Sequence, residues 1–269
     1  MRLEPSRSLQ PRLGERAVAV PADGPLAVRV LEGFRRRCPG APSDRVAWAC
    51  ASDDPSMPEA VHRYLRLGFA QGARLARMRS HELVAPVCDL ARSVSNECER
   101  TRQFARFSRM ADGTLWGTFR PRADTLPLTA GWFAARMGGE RFCLVDPVHR
   151  VAVMGEGRWG VVRLDEEGAR ALAGRDDLAS EERYVRAMWR RFYDAVGLPG
   201  RGRESRGYDL RTHLMPKRLW DGLCELDPAS LDPGDHVPER YRGDAAEEGR
   251  GTPEREEAPL PRGLPDGSL

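Results

Sequence analysis

FARFSRMADGTLWGTFRPRADTLPLTAGWFAARMGGERFCLVDPVHRVAVMGEGRWGVVRL, residues 104–164, is the stretch from which the fold is read. Phe104–Arg109 and Thr114–Arg120 alternate aromatic and polar residues on either side of Ala111-Asp112-Gly113, which is the turn chemistry of a β-hairpin. Leu126–Met137 changes to a helical period and stops at Gly138-Gly139. Arg141–Asp146, Arg150–Gly155 and Arg158–Leu164 follow as three strands joined by short turns. The order β-β-α-β-β-β predicts a central antiparallel sheet with a helix on one face, hence an α+β fold.

Toward the N-terminus, Ala17–Val20 reads as a short strand and Asp23-Gly24-Pro25 as a turn. Leu26–Arg37 reads as a helix with Val30, Leu31 and Phe34 on one side. The proline-rich stretch Cys38–Pro58 reads as a loop holding a short strand at Val46–Cys50. Ser56 is placed to cap a helix running from Pro58 to near Met78, and Ser80 a second running to near Arg102. Leu83, Val87, Leu90, Val94 and Cys98 form the inner stripe of the second. Toward the C-terminus, Ser180–Val196 reads as a helix stopped by Gly197, Leu198–Arg211 as a Gly/Arg-rich loop, and Pro216 as the start of a short helix. The organisation expected is a loose N-terminus at 1–16, a single α+β domain at 17–228 with N- and C-terminal helices around the sheet, and a disordered acidic tail at 229–269.

Composition narrows the function classes. Of 269 residues, 41% are hydrophobic and 31% charged, and no apolar run approaches the roughly 20 residues of a membrane span. Met1–Val20 has no apolar core of a secretory signal. The six cysteines include no C-x-x-C pair, so reduced thiols in a cytoplasmic protein are expected, with neither a metal nor a cofactor. P-loop, G-x-S-x-G and H-E-x-x-H motifs are absent, and none of the five histidines stands at motif spacing from a carboxylate. Across the turn between two of the strands, Asp146 and Arg150 are placed to form an ion pair.

Charge is distributed unevenly. The net +3 of the whole chain divides into 38 basic and 27 acidic residues in 1–220, and 5 basic and 13 acidic in 221–269. A basic body is what binding to a polyanion requires. Lys217 is the single lysine among 43 Lys and Arg. It stands in His213-Leu-Met-Pro-Lys-Arg-Leu-Trp220, where a helix N-terminus favours phosphate. Arg183–Arg218 holds ten basic and three acidic residues interleaved with Trp189, Tyr193, Tyr208 and His213, a composition suited to a nucleic-acid groove. Arg106 alternates with Phe104 and Phe107 at the entry to the hairpin. The candidate nucleic-acid-binding residues are therefore Arg106, His213, Lys217, Arg218 and Trp220. Desolvated beside Arg218, Lys217 would instead serve as an imine-forming amine.

Val94-Ser-Asn-Glu97 through Phe104-Ala-Arg-Phe107, Asp112-Gly113, Asp124–Phe133, the Asp146–Arg150 turn, the Trp159 strand, Tyr184–Phe192 and Met215-Pro-Lys-Arg-Leu-Trp220 carry a family resemblance. Over Val18–Leu226 the chain resembles a bacterial family of DNA metabolism or DNA repair proteins built on a domain of unknown function. Members of that family are encoded beside a radical SAM protein of DNA modification or repair, and the domain also occurs fused to uracil-DNA glycosylase-like domains. The chain departs from the pattern at Pro21-Ala22, where an aromatic is expected, and at Leu219, where tyrosine is usual. The resemblance implies a nucleic-acid-associated accessory protein with DNA and a radical SAM protein as partners. It supplies no catalytic residue. Two other readings stay open. One is an enzyme acting on a DNA base or abasic site through Lys217, assisted by Asp146 or Glu97; the other is an adaptor that binds only protein.

Overall fold

The computed structural model describes residues 18–195 and 217–223, and within them seven α-helices and a five-stranded sheet. Helices α1 (Gly24–Arg37), α2 (Ala41–Cys50), α3 (Met57–Gln71) and α4 (Ala85–Phe104) form the N-terminal half. Each begins with a proline in its first turn, a position where the missing N–H goes unmissed. For α1 the Asp23 carboxylate also accepts the Leu26 amide at 2.9 Å, as an N-cap does. Phe34, Val46, Tyr64, Leu75, Val84, Val87 and Leu90 interlock as the core of this half. Gly68 has a packing reason: a Cβ there would stand 2.3 Å from the Phe34 ring.

The second half is the sheet. Its strands are β1 (Ser108–Arg109), β2 (Leu115–Thr118), β3 (Phe142–Asp146), β4 (Val151–Glu156) and β5 (Arg158–Arg163), neighbours in that order. Gly113, at φ 82°, takes the left-handed turn position between β1 and β2. Helix α5 (Leu126–Met137) connects β2 to β3, and β2 pairs with β3 in parallel. On the α5 face Leu126, Ala130 and Phe133 meet Phe142, Leu144, Val151 and Val153. The other face, Cys143, Val145 and Ala152, packs under Leu164 and Leu172 of the segment holding α6 (Glu166–Ala173). Helix α7 (Ser180–Ala195) closes the continuous segment, and Lys217–Gly222 forms a 3-10 helix whose Leu219 and Trp220 are buried, as is Leu223 just after it.

The α+β expectation holds, with differences. The sheet is mixed rather than antiparallel, because the chain crosses over through α5 and returns in parallel. Val46–Cys50 is not a strand but the second half of α2, whose first turn holds Pro42. The Pro58–Met78 helix ends early at Gly72 (φ 59°) and continues as a 3-10 helix, Gly72–Arg77. Ser56 turns its hydroxyl to Asp54 rather than capping α3, and α4 starts at Ala85 rather than after Ser80. Phe104 ends α4 instead of opening the hairpin. Residues 18–20 form no strand, and α6 was not anticipated. The Leu198–Arg211 loop, His213 and the acidic tail lie outside the described residues. No described helix is long and apolar enough to cross a membrane.

Candidate functional site

Parallel strands β2 and β3 end side by side, and the segments leaving them build a polar cluster. From β2 the chain runs through Phe119-Arg-Pro-Arg-Ala-Asp124 into α5, and its Phe119 amide donates to the Val145 carbonyl. Ala123 bridges Ser52 in antiparallel fashion, and the Asp124 amide donates to Ala51, so the loop after α2 is tied to the same place. From α4, Thr101 donates or accepts at 2.9 Å with Thr125, locking α4 onto the start of α5.

Glu97 lies at the centre and is 4% exposed. Its Oε1 accepts the Arg122 amide at 3.0 Å and the Arg218 guanidinium, and its Oε2 accepts from Arg100 at 3.1 Å. Burial alone would raise its pKa. The Arg122 amide and the two guanidiniums outweigh burial and hold the carboxyl below the usual range. The site therefore joins Glu97 of α4 to Arg218 of the 3-10 helix, 121 positions apart in sequence. Asp124, at the start of the same crossover helix, accepts from Arg163 of β5 at 2.8 Å.

Asp146 ends β3 and is fully buried. Its Oδ1 accepts the Val148 and His149 amides at 2.9 and 3.1 Å, which folds residues 146–149 into a tight turn. Its Oδ2 lies 2.5 Å from His149 Nδ1, and His149 Nε2 lies 2.9 Å from Asp53 Oδ2 in the loop after α2. Burial opposes the imidazolium, but hydrogen bonds and charge from Asp146 and Asp53 prevail and push its pKa up to about 9. For Asp146 burial prevails over the pull of His149, and its pKa is raised. The expected Asp146–Arg150 pair is not formed, because the Asp146 oxygens are taken within the turn. Arg150 is exposed and has φ 55°.

The candidates from sequence fall in different places. Arg218 is in the cluster as a half-buried latch, with its side chain 21% exposed. Trp220 is 4% exposed, so it is a packing anchor rather than a stacking face for a base. Arg106 is exposed and reaches the Gln103 carbonyl at 2.8 Å at the end of α4, outside the cluster. Lys217 begins the 3-10 helix beside Arg218, and its side chain lies outside the described residues. Glu97 and Asp146, the carboxylates proposed to assist it, are both buried and engaged. Sequence reasoning missed His149 and Asp53. The i,i+3 spacing of Asp146 and His149 across a turn was the available signal for the first; nothing local marks the second.

Other chemistry is limited. Burial pushes the Cys98 and Cys143 thiols up to about 12, which makes them poor nucleophiles. Among the described residues no group of three or more His, Cys, Asp and Glu is placed to hold a metal. Helix α7 donates through Arg186 to Ser108 and accepts through Glu182 from the Arg109 amide. It leaves Tyr184, Val185, Met188, Trp189 and Phe192 exposed.

No curated protein and no solved structure matches the chain. A family model does match, over residues 55–225, and this span takes in α3, the whole sheet, and both Glu97 and Arg218. The chain belongs to the family defined by the domain of unknown function DUF4130.

Proposed function

We propose that this chain is a nucleic-acid-associated protein of DNA repair or DNA metabolism, an accessory to a radical SAM protein of DNA modification or repair. One observation carries the reading. At the end of the sheet two acids, Glu97 and Asp146, are buried, while Arg120, Arg122 and Arg150 are exposed on the segments leaving β2 and β3, and Arg163, paired with Asp124, is exposed at the end of β5. A strand of nucleic acid approaching this end meets guanidinium first, and guanidinium grips phosphate bidentately. The DUF4130 span as a whole carries 29 basic and 22 acidic residues, which supports the same sign of field. The open apolar side of α7 supports a protein partner. Titrating the chain with duplex and single-stranded oligonucleotides at two salt concentrations tests the proposal. Binding that weakens steeply with salt is expected, and affinity absent at low salt ends it.

A second reading has one specific support. The Arg218–Glu97 latch fixes the backbone of Lys217, one residue away, at the same cluster. Such a lysine can attack an abasic sugar as an amine, and borohydride then traps the imine. A covalent adduct with abasic or uracil-containing DNA that vanishes in Lys217→Ala favours this enzyme reading. Absence of any adduct removes it.

A further inference from the structure

The segments that leave β2 and β3 also border an open groove of about 430 Å³, and this groove is separate from the Glu97 latch. Arg120, two residues beyond β2, forms one wall. Pro147 and Arg150, in the turn after β3, form a second. Glu166, Ala169 and Arg170 of α6 form the third. Both parallel strands thus point their carboxyl ends at the groove, the position where sheets with parallel strands bind ligands. Its size falls within the roughly 300–1,000 Å³ of ligand clefts.

The charge balance of the lining is three guanidiniums to one carboxylate. Glu166 is spoken for: it accepts from Arg170 at 3.0 Å, a pair with both side chains about three-quarters exposed and hence weak. Arg120 and Arg150 have no carboxylate within ion-pair distance among the described residues. The backbone of Arg150 adds a second observation. At φ 55° it occupies the left-handed region, which strains a residue that carries a Cβ. The four-residue turn from Pro147 needs that conformation at its last position, and glycine or asparagine would meet the need with less strain. An arginine stands there instead, and its side chain lines the groove.

We infer that this groove is a phosphate-binding site in which Arg120 and Arg150 clamp one phosphate group and Arg170 supplies further positive charge. The identification of the phosphate as a nucleic-acid phosphodiester rests on the functional reading above. The groove chemistry itself does not, since a free phosphate offers the same oxygens.

The test uses the full chain, an Arg120→Ala/Arg150→Ala variant, and an Arg35→Ala/Arg36→Ala control. The control removes equal charge from the last turn of α1, which packs on α2 and α3. Thermal unfolding within a few degrees of the parent establishes that both variants are folded. Oligonucleotide affinity by anisotropy is expected to fall at least tenfold in the groove variant and less than threefold in the control. Inorganic phosphate, followed by calorimetry, separates the sources. Loss of oligonucleotide affinity with no phosphate binding assigns the phosphodiester. Phosphate heat in the parent that disappears only in the groove variant, with oligonucleotide affinity unchanged, keeps the site and assigns it to a small phosphate ligand. If groove and control variants behave alike toward both ligands, the inference is wrong even where the full chain binds DNA. If the full chain binds no oligonucleotide at low salt, the functional reading fails, and the phosphate arm alone decides the groove.

Discussion

Two carboxylates are buried at the same end of this molecule, and they are held in opposite ways. Glu97 is met by two arginines and a backbone amide, and its pKa is lowered. Asp146 is met by one histidine and two backbone amides, and its pKa is raised. Guanidinium stays charged at any pH a protein survives, whereas imidazole does not. The Glu97 cluster is thus a permanent latch that closes the 3-10 helix Lys217–Gly222 onto α4. The Asp146–His149–Asp53 cluster is a conditional tie between the β3–β4 turn and the loop after α2. Position in the fold is shared; the chemistry of the partner sets the response.

The largest effect should come from opening the latch. Arg218→Ala leaves Glu97, with its side chain 5% exposed, facing only Arg100 and an amide. Removing one partner of a buried pair costs about 3–5 kcal/mol, and residual exposure of Arg218 places this variant near the lower end. Urea unfolding measures it, and a loss under 1 kcal/mol would show the latch to be ornamental. His149→Gln should follow, at about 2 kcal/mol, because Asp146 keeps two amides and part of a hydrogen bond.

The pH response separates the clusters further. With a folded-state pKa of about 9 against 6.5 for a free imidazole, His149 contributes stability that is complete below about pH 6.5 and lost as pH rises through 9. Glu97 has the opposite sign: its contribution is present above its ordinary carboxylate pKa and lost as pH falls through its lowered one. The raised pKa of Asp146 acts against Glu97 on the acid side, so the alkaline limb is the cleaner one. Unfolding free energy should decline between about pH 7 and 9.5 in the parent and flatten in His149→Gln. Equal slopes would contradict the assignment.

The smallest effect belongs to Asp53, whose side chain is 39% exposed. Asp53→Asn should change stability by less than about 1 kcal/mol, yet it should lower the His149 pKa measurably in an NMR titration of the imidazole. An unchanged titration would leave Asp146 as the sole partner that matters.

Much of this was legible in the sequence, for identifiable reasons. Helix α5 and strands β3 to β5 are legible to within a residue because Gly138-Gly139 and short turns punctuate them, whereas the strand expected at Phe104–Arg109 shrinks to Ser108–Arg109 because α4 runs on to Phe104. Helix α2 reads as loop and strand because prolines crowd Cys38–Pro58, yet Pro42 sits in the first turn, where proline is tolerated. Parallel pairing of β2 and β3 escaped because strand order along the chain does not say whether a crossover helix returns the next strand alongside. Arg218 was singled out for nucleic acid, and Trp220 with it. Arg218 is half-buried against Glu97 and Trp220 is buried in the core beneath, and no local window contains those partners. The Asp146–Arg150 pairing failed by one residue, since an i,i+3 turn brings His149 back to the carboxylate. Asp53 lies 96 positions away and only the folded chain reveals it.

The central claim is that the end of the sheet, with Glu97 and Asp146 buried and Arg120, Arg122 and Arg150 outward, faces nucleic-acid phosphate. The slope of log affinity against log salt for an oligonucleotide tests it most directly. Several phosphate contacts predict a steep negative slope in the parent, shallower by about one for each contacting arginine removed at 120, 122 or 150. A parent slope near zero, or one that is unchanged when those arginines are removed, would contradict the account.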